Sequence, residues 1–385
     1  MSEERTPLSA AELSRYAKHI KLAHIGLDGQ IKLKQARVLC VGAGGLGSPL
    51  LLYLAAAGVG TIGIVDDDVV QLDNLQRQIL YQSNHVDVKK VLQAKNQLNA
   101  LNPHIHIEIY PQRLTLANAA ELITQYDIVA DCSDNFATRY LVNDVCFYLK
   151  KPFVSASISQ FEGQCTFFLG SEAPCYRCLF PALPAMQTMV DCATAGVLGV
   201  LPGILGTIQA TEILKWILQI GDLLTGRLLM IDALKMQFRE IQFQKNPECE
   251  LCVYKKPLDL LALPESCDSL NGISVQELKA WFDSNKDIQL LDVRTAQENE
   301  MNNIGGILIP LSELSHRLNE LNTQKPIVVY CQSGKRSLQA LKILSERDFK
   351  SIRYLQGGLN EWDRIRNQTS AHNAIISYPK KSING

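Results

Sequence analysis

The stretch Val38-Leu-Cys-Val-Gly-Ala-Gly-Gly-Leu-Gly-Ser-Pro49 predicts the fold of the first part of this chain. Residues 38–41 form a short apolar run, which is typical of a strand buried in a parallel sheet. The run is followed by a G-x-G-x-x-G pattern with one additional glycine, at Gly42, Gly44, Gly45 and Gly47. Glycines allow the backbone to turn tightly and to approach a phosphate, whose charge is complemented by amides at the next helix N-terminus. The stretch therefore predicts a phosphate-binding turn.

The residues after this turn complete a strand–turn–helix–strand unit. Residues 50–57 predict a helix that begins directly after the glycines, and residues 61–65 predict the second strand. Asp66 ends that strand, where a carboxylate can accept hydrogen bonds from ribose hydroxyls. The order of these elements predicts an α/β fold with a Rossmann-like, mostly parallel sheet and a nucleotide site. The pattern does not distinguish a dinucleotide from ATP, and a turn used only for close packing is the non-functional alternative.

Length and composition indicate a globular protein of more than one domain. A chain of 385 residues is too long for one ordinary core, and 46% apolar with 20% charged residues excludes a disordered chain. A net charge of −1 gives no basic surface for nucleic acid or an anionic membrane, so neither is an expected partner. The N-terminal residues 1–7 lack an apolar signal region, which predicts a cytoplasmic location.

Further polar groups fall where an active site of this fold is expected. Asp73-Asn-Leu-Gln-Arg77-Gln forms a polar loop, and Lys90 begins a long amphipathic helix. Asp134 follows a strand predicted at 127–131, and ligands of open α/β sheets bind at the carboxyl ends of strands. The alternatives are solvated surface charges for Arg77 and Lys90, and a helix cap for Asp134.

The clustered cysteines predict a metal site. Cys175-x-x-Cys178 and Cys249-x-x-Cys252 supply four thiolates, which suit tetrahedral Zn²⁺ if the fold brings the two pairs together. A redox-active C-x-x-C is the alternative, but nothing like a thioredoxin surrounds either pair. Four other cysteines lie in apolar runs and are expected in the core: Cys40, Cys132, Cys146 and Cys165.

A change of pattern after the second cysteine pair predicts a domain boundary. We expect a first domain at 1–254, a proline-containing linker at 255–270, a smaller α/β domain at 271–366 and a polar tail at 367–385. In the smaller domain, Tyr330-Cys331-Gln-Ser-Gly-Lys-Arg336-Ser follows an apolar strand and precedes a helix. Loop amides and a helix N-terminus around this thiol favour thiolate or persulfide chemistry.

The ordered motifs of the first part resemble one family. The glycine turn, the Asp73–Gln78 loop, Lys90, Asp134-Asn135 and the cysteine pairs are similar to those of bacterial relatives of ubiquitin-activating enzymes. These are the adenylyltransferases of molybdopterin and thiamine biosynthesis, of the ThiF/MoeB type. The resemblance covers roughly residues 9–252. It implies a homodimer that uses ATP and Mg²⁺ to adenylate the C-terminal glycine of a small ubiquitin-like sulfur-carrier protein.

A carboxylate that attacks an α-phosphate brings two anions together, so such a site must supply positive charge and hold the groups in line. The resemblance implies these roles: Arg77 and Lys90 on the triphosphate, Arg15 of the other subunit on the γ-phosphate, Asp66 on the ribose, Asn74 on a phosphate or the ribose, and Asp134 on Mg²⁺. Asp68 is a further acid near the site.

The Cys331 loop resembles that of rhodanese-like sulfurtransferases, and the similarity covers about residues 272–366. Phosphatases are the rival class, but their loops place five residues between cysteine and arginine where this chain has four, from Cys331 to Arg336. Cys192 matches a position where relatives carry a cysteine able to link to the carrier, although an apolar surround also permits a structural thiol. The logic of the family implies a cysteine desulfurase as the sulfur donor.

The combination predicts one enzyme with two steps, in which adenylation of the carrier is followed by sulfur transfer from a Cys331 persulfide to give a thiocarboxylate. The molybdopterin, thiamine, cysteine and tRNA-thiolation routes all remain open for the carrier. Two other functions use the same features. An NAD-dependent oxidoreductase shares the glycine turn but does not need Arg77, Lys90 and Asp134, and a non-catalytic scaffold for ubiquitin-like proteins needs none of them.

Overall fold

The computed structural model describes residues 8–171, 173–182, 196–258, 261, 272–345, 349 and 351–375. The chain divides into two compact units, the first built from the chain up to Pro184 together with Ala195–Pro264, and the second mainly from Glu265 onward. The predicted boundaries at 254 and 271 remain a prediction. Cys267, to which the sequence assigns no role, lies outside the described residues, as does Cys192.

The first unit contains eight strands among the described residues, with helices between them. In chain order the elements are α1 (Ala10–Arg15), α2 (Ala17–Ile20), α3 (Gly26–Gln35), β1 (Arg37–Val41), α4 (Gly47–Ala57), β2 (Thr61–Val65), α5 (Lys90–Leu101), β3 (His106–Tyr110), α6 (Ala119–Thr124), β4 (Ile128–Asp131), α7 (Phe136–Leu149), β5 (Phe153–Ser159), β6 (Glu162–Phe168), α8 (Tyr176–Leu179), α9 (Leu201–Leu218), β7 (Arg227–Asp232) and β8 (Gln237–Gln242). Short 3₁₀ turns span Leu72–Asn74 and Ser83–His85.

The strands of the first unit form one sheet in the order β3-β2-β1-β4-β5-β6-β7-β8. The strands from β3 to β5 are parallel, and the remaining pairs are antiparallel. Strand β1 pairs with β2 on one side and with β4 on the other, so the strand order reverses there. A reversal of this kind opens a crevice at the carboxyl ends of the strands, where ligands of α/β sheets bind. The predicted Rossmann-like sheet is confirmed.

The side chains of β1 alternate between two cores, one on each face of the sheet, and helices cover both faces. Val38 and Cys40 point into a core with α4, α5 and α9, whereas Leu39 and Val41 point into a second core with α6 and α7. All four side chains are buried. Successive strand residues face opposite sides of a sheet, so an uninterrupted apolar run requires helices on both faces.

The N-terminal segment consists of short helices. A capping box joins Ser9 and Glu12 at the start of α1, with each side chain accepting from the other residue's amide. Three helices, α1, α2 and α3, follow one another from residue 10 to residue 35. Gly26, whose φ is +59°, is the first residue of α3.

The second unit is a smaller parallel sheet. Its elements are β9 (Gly272–Ile273), α10 (Val275–Asp283), β10 (Gln289–Asp292), α11 (Ala296–Met301), β11 (Ile307–Leu308), β12 (Ile327–Tyr330), α12 (Lys335–Ser345), β13 (Ile352–Leu355) and α13 (Gly358–Ile375). The strands run in the order β11-β10-β12-β13-β9, and all pairs are parallel. The sequence does not predict β9, and α13 continues into the segment expected as a polar tail. None of the helices within the described ranges is long and apolar enough to cross a bilayer.

Candidate functional site

Two glycines of the turn after β1 stand where a side chain would not fit. Gly42 has φ +94°, and a Cβ there would lie 2.9 Å from the carbonyl oxygen of Cys132. A Cβ on Gly47, the first residue of α4, would lie 2.2 Å from the carbonyl oxygen of Gly42. The turn therefore folds back on itself and against the end of β4, which places the start of α4 at the crevice beside β1.

Both backbone groups of Ala43, the residue in the middle of the turn, are held by side chains. The Asp66 carboxylate accepts the Ala43 N–H at 2.8 Å, and the Tyr81 hydroxyl donates to the Ala43 carbonyl at 2.7 Å. The second oxygen of Asp66 accepts the Asp68 N–H at 2.9 Å. Burial raises the pKa of Asp66, against the charge of Lys90, which lowers it. The sequence does not predict the role of Tyr81, because no local pattern links it to Ala43, which lies 38 residues earlier in the chain.

Lys90 is buried rather than a solvated surface charge. Its side chain is 6% exposed, and its Nζ lies 2.7 Å from Oδ2 of Asp68, whose side chain is 64% exposed. Lys90 is the first residue of α5. A buried ammonium whose carboxylate partner stands in solvent is suited to bind an incoming phosphate oxygen, because the partner can move away into water.

The Asp73–Gln78 loop packs on the glycine turn. The guanidinium of Arg77 donates to the Asp73 carbonyl at 3.0 Å, and its Cγ lies 3.7 Å from the Cβ position of Gly45. Asn74 is buried and donates to the Asp73 carboxylate at 2.9 Å. Gln78, which sequence reasoning did not single out, is buried with its Nε2 3.6 Å from the Cβ position of Gly44. Its Oε1 has no hydrogen-bond partner among the described residues.

Asp134 follows β4 on the other side of the turn. Asn135, not Asp134, caps α7, since its side-chain oxygen accepts the Thr138 N–H at 2.9 Å. The helix-cap interpretation of Asp134 is therefore wrong, and its carboxylate is exposed. Just before it, buried Asp131 accepts hydroxyl hydrogen bonds from Ser133 at 2.6 Å and Ser155 at 2.7 Å. These bonds fix the strand end that carries Asp134.

Arg15 does not lie at the glycine turn of its own chain. Its guanidinium is exposed and donates to the Leu101 carbonyl at 3.0 Å. Leu101 is the last residue of α5, and Lys90 is the first. A helix of this length separates its ends by about 16 Å, so the structure places Arg15 and Lys90 at opposite ends of α5.

The two C-x-x-C pairs converge as predicted. Sulfur–sulfur distances are 3.8 Å for Cys175–Cys178, 3.6 Å for Cys175–Cys249 and 3.3 Å for Cys178–Cys252. Four thiolates bound tetrahedrally to zinc at about 2.3 Å lie about 3.8 Å apart. Hydrogen bonds from the neighbouring thiols, that of Cys175 first, lower the pKa of Cys178 to about 4 and also lower the pKa of Cys252. The cluster could therefore hold a zinc ion.

The first cysteine pair is held in place by α7. The Asn143 side chain accepts the Tyr176 N–H at 2.8 Å, and Asp144 forms a buried ion pair with Arg177, with bonds of 2.8 and 2.6 Å. Tyr176 and Arg177 are the two residues between Cys175 and Cys178. The geometry of the cluster therefore depends on a helix that begins at the crevice.

In the second unit, Cys331 lies in a loop between β12 and α12. The thiol is buried, and its sulfur accepts the Gly334 N–H at 3.2 Å. Gly358 allows a close approach on the other side, since a Cβ there would lie 2.4 Å from the Cys331 carbonyl. The Leu359 N–H donates to that carbonyl at 2.9 Å. The loop thus holds Cys331 with an amide directed at its sulfur.

Both arginines at this loop whose side chains the structure describes are paired with carboxylates. Arg336 binds Glu298 through two bonds of 2.7 and 2.6 Å. Arg294 binds Asp292 at 2.7 Å and donates to the Gln332 side chain at 3.3 Å. Sequence reasoning missed the partner of Arg336, because Glu298 belongs to a different element.

The remaining predictions concern five cysteines. The four cysteines expected in the core are buried and free: Cys40, Cys132, Cys146 and Cys165. Cys192, the candidate nucleophile, lies outside the described residues, so its role remains a prediction.

Known proteins match this chain over most of its length. A model of the ThiF family matches residues 16–251, and a model of the rhodanese-like domain matches residues 274–365. The chain belongs to the ThiF family. It is 41% identical over 374 residues to the probable adenylyltransferase/sulfurtransferase MoeZ of Mycobacterium tuberculosis, covering 94% of this chain and 95% of that protein. It is 40% identical to the adenylyltransferase and sulfurtransferase MOCS3 of Anopheles gambiae, with 93% and 88% covered.

Another relative is the probable molybdopterin-synthase adenylyltransferase of Porphyra purpurea, which is 40% identical, with 94% of this chain and 95% of that protein covered. Among solved structures, Escherichia coli MccB with ATP superimposes with a TM-score of 0.55 and 21% identity, over 62% of this chain and 74% of that one. At that identity the similarity shows the fold alone. The predicted combination of an adenylyltransferase with a rhodanese-like sulfurtransferase is confirmed.

Proposed function

We propose that the ThiF part of this chain uses ATP to activate the C-terminal carboxylate of a small ubiquitin-like sulfur-carrier protein. The glycine turn fixed by Asp66, with buried Lys90 and the Arg77 stem beside it, carries this proposal. In the reaction the carrier carboxylate attacks the α-phosphorus of ATP. The bond to the β-phosphate breaks, and the products are carrier-CO-AMP and pyrophosphate.

Each side chain has a task in that step. The turn amides approach the phosphates, Asp66 accepts from the ribose hydroxyls while holding Ala43, and Asn74 binds a phosphate or the ribose. Lys90 and Arg77 bind the triphosphate and offset the repulsion between two anions. Asp134 is exposed at the adjacent strand end, and its carboxylate suits Mg²⁺, which supplies positive charge to the phosphates when bound.

The site is completed by a second subunit. Arg15 lies at the far end of α5 from Lys90 and cannot reach its own turn, so we assign it to the γ-phosphate in the partner of a homodimer. A symmetric dimer needs only one such surface, used twice.

The rhodanese-like domain supplies sulfur. A persulfide on Cys331 attacks the carrier-CO-AMP carbonyl, and AMP leaves with the bond electrons. The carrier is now joined to Cys331 by an acyl disulfide. A thiolate, for which Cys192 is the candidate, attacks the Cys331 sulfur, so that a new disulfide to Cys331 forms as the S–S bond to the carrier breaks and the carrier thiocarboxylate leaves. A low-molecular-weight thiol reductant then returns both cysteines to thiols. The loop amide of Gly334 on the Cys331 sulfur supports a stabilised anionic sulfur there. Because both domains share one chain, the short-lived adenylate meets the sulfur at high effective concentration.

Zinc and the sulfur source complete the proposal. The close approach of the four cysteine sulfurs supports a structural zinc ion that fixes the end of the first domain. A cysteine desulfurase is the proposed donor to Cys331. The name of the Porphyra purpurea relative, a probable molybdopterin-synthase adenylyltransferase, favours a carrier of molybdopterin synthesis, and thiamine, cysteine and tRNA-thiolation carriers are the alternatives.

Incubation of the protein with ATP and each candidate carrier, read by intact mass, tests the proposal. The cognate carrier gains AMP, and after addition of a desulfurase and cysteine it exchanges one oxygen for sulfur. Lys90→Ala loses both products, whereas Cys331→Ser retains the adenylate and loses the thiocarboxylate. NAD reduction without pyrophosphate exchange would instead support an oxidoreductase, and thiocarboxylate formation unaffected by Cys331→Ser would indicate an inert second domain.

A further inference from the structure

The guanidinium of Arg336, at the end of the Cys331 loop, is already paired with a carboxylate of the same chain. Arg336 meets Glu298 in a two-bond fork of 2.7 and 2.6 Å, the arrangement in which arginine binds carboxylates and oxyanions. The two side chains are 34% and 33% exposed, so the pair is open to solvent at the Cys331 loop.

Glu298 is positioned independently of Arg336. It is the third residue of α11, and its carboxylate accepts the N–H of Thr295 at 3.1 Å and the Thr295 hydroxyl at 3.0 Å. In return the Glu298 N–H donates to the Thr295 hydroxyl at 3.3 Å, which completes a capping box. The carboxylate is therefore held at the loop by its own helix and does not depend on the ion pair.

Arg294, the second arginine described at this loop, is also unable to bind an incoming anion. Arg294 is 1% exposed in its side chain and is bound by Asp292, which is equally buried. Its contact with Gln332 ties it further into the loop, and Gln332 also donates to Asn360 at 2.6 Å. The side chain of Lys335 is not among those that the structure describes. Among the described side chains of the loop, a small dianion that approaches Cys331 therefore meets the Glu298 carboxylate and no arginine without a carboxylate partner.

We propose that Glu298 selects the sulfur donor of Cys331 by excluding small dianions such as thiosulfate in favour of persulfides of thiols. This inference rests on the proposed sulfur transfer at Cys331. With thiosulfate, the thiolate attacks the outer sulfur, and sulfite leaves with the electron pair of the broken S–S bond. With a persulfide R–S–SH, the thiolate attacks the terminal sulfur, R–S⁻ leaves, and the proton stays on the transferred sulfur. Both leave one sulfur on Cys331, but only thiosulfate brings two negative charges to the loop.

Glu298→Gln tests this role in the full chain. Glutamine keeps the length and the capping contacts of Glu298 but removes its charge, so the positive charge of Arg336 is no longer neutralised. We measure how fast the Cys331 peptide gains one sulfur, by mass after alkylation, with thiosulfate and with a low-molecular-weight alkyl persulfide. Loading by thiosulfate rises by about tenfold, mainly through a lower concentration for half-saturation, as expected for one recovered charge contact. Loading by the alkyl persulfide changes less than about twofold, because that donor carries no second charge.

Two matched variants separate selection from general effects. Glu320→Gln removes a carboxylate that pairs with Arg317 at the surface of the same domain, and it leaves both rates unchanged. Glu298→Gln combined with Arg336→Gln returns the thiosulfate rate to that of the unchanged protein, since the uncompensated positive charge is gone.

The outcomes distinguish the two proposals. If Glu298→Gln loads from thiosulfate no faster while the alkyl persulfide loads Cys331 normally, Glu298 does not select the donor. If the double variant keeps the gain, Arg336 is not the group that Glu298 blocks. If neither donor loads Cys331 in the unchanged protein, the proposed sulfur transfer itself fails, and this inference fails with it.

Discussion

At the scale of single residues, Ala43 shows how the glycine turn keeps its shape. A glycine-rich segment is flexible unless its peptide groups are held, because glycine loses more backbone freedom on folding than any other residue. Here one peptide N–H is held by Asp66 and the carbonyl of the same residue by Tyr81. Two side chains from different elements therefore set the orientation of the amides that we propose for the phosphates.

Tyr81→Phe should weaken nucleotide binding more than it slows the chemical step. The substitution leaves the ring in place but removes the donor to the Ala43 carbonyl, a loss of about 1 kcal/mol for one hydrogen bond. We expect the KM for ATP in carrier-dependent pyrophosphate exchange to rise by about fivefold, with kcat nearly unchanged. Tyr53→Phe, on the exposed face of α4, is the matched control. An unchanged KM in Tyr81→Phe would show that the turn keeps its shape without this bond.

At the scale of secondary-structure elements, α7 connects the crevice to the cysteine cluster. The helix begins with the Asn135 cap, directly after Asp134, and two turns later its Asn143 and Asp144 hold the residues between the first cysteine pair. Asp144 and Arg177 are both buried, and a buried ion pair is costly to break because the remaining charge has no partner. The cluster and the nucleotide site thus share one rigid support.

Removal of one cysteine ligand should lower the zinc content and the thermal stability of the protein, because the cluster is structural and takes no part in the chemical steps. Cys249→Ser leaves three thiols, so we expect bound zinc, measured by mass spectrometry of metals, to fall well below one ion per chain. The melting temperature should fall by several degrees, because metal binding contributes to folding. Cys146→Ala, a buried cysteine of α7 outside the cluster, should keep its zinc. Full zinc occupancy in Cys249→Ser would contradict the four-cysteine site.

Comparison of these elements with the sequence shows which interactions are local. The β1–turn–α4–β2 unit is predicted to within a few residues, because an apolar run, four glycines and a terminal acid each act on neighbouring residues. The spacing within each C-x-x-C pair indicates metal-ligating cysteines, but the convergence of the two pairs depends on the fold, because Cys175 and Cys249 are 74 residues apart. Strand β9 has only two residues, too few for any periodicity. The contacts of Tyr81 with Ala43 and of Glu298 with Arg336 depend on how distant elements pack, which local patterns do not encode.

At the scale of the whole molecule, the position of Arg15 makes the proposed enzyme depend on a second chain. Its guanidinium contacts the C-terminal end of α5, whereas the buried ammonium of Lys90 lies at the N-terminal end of that helix. If the two side chains act on one triphosphate, they must come from different subunits. Each active site then combines Lys90 of one chain with Arg15 of the other.

Mixed dimers test this arrangement directly. Arg15→Ala and Lys90→Ala chains with different tags are co-expressed, and the dimer that carries both tags is isolated. One of its sites lacks both side chains, but the other combines an intact Lys90 with an intact Arg15 from the partner, so we expect about half the pyrophosphate exchange of the unchanged dimer. Each variant alone should be nearly inactive. A dimer of Arg15→Ala with the double variant has no intact site and serves as the control. If Arg15 acted within its own chain, the mixed dimer would have no complete site and no activity, and if Arg15→Ala alone were fully active, the residue would have no part in catalysis.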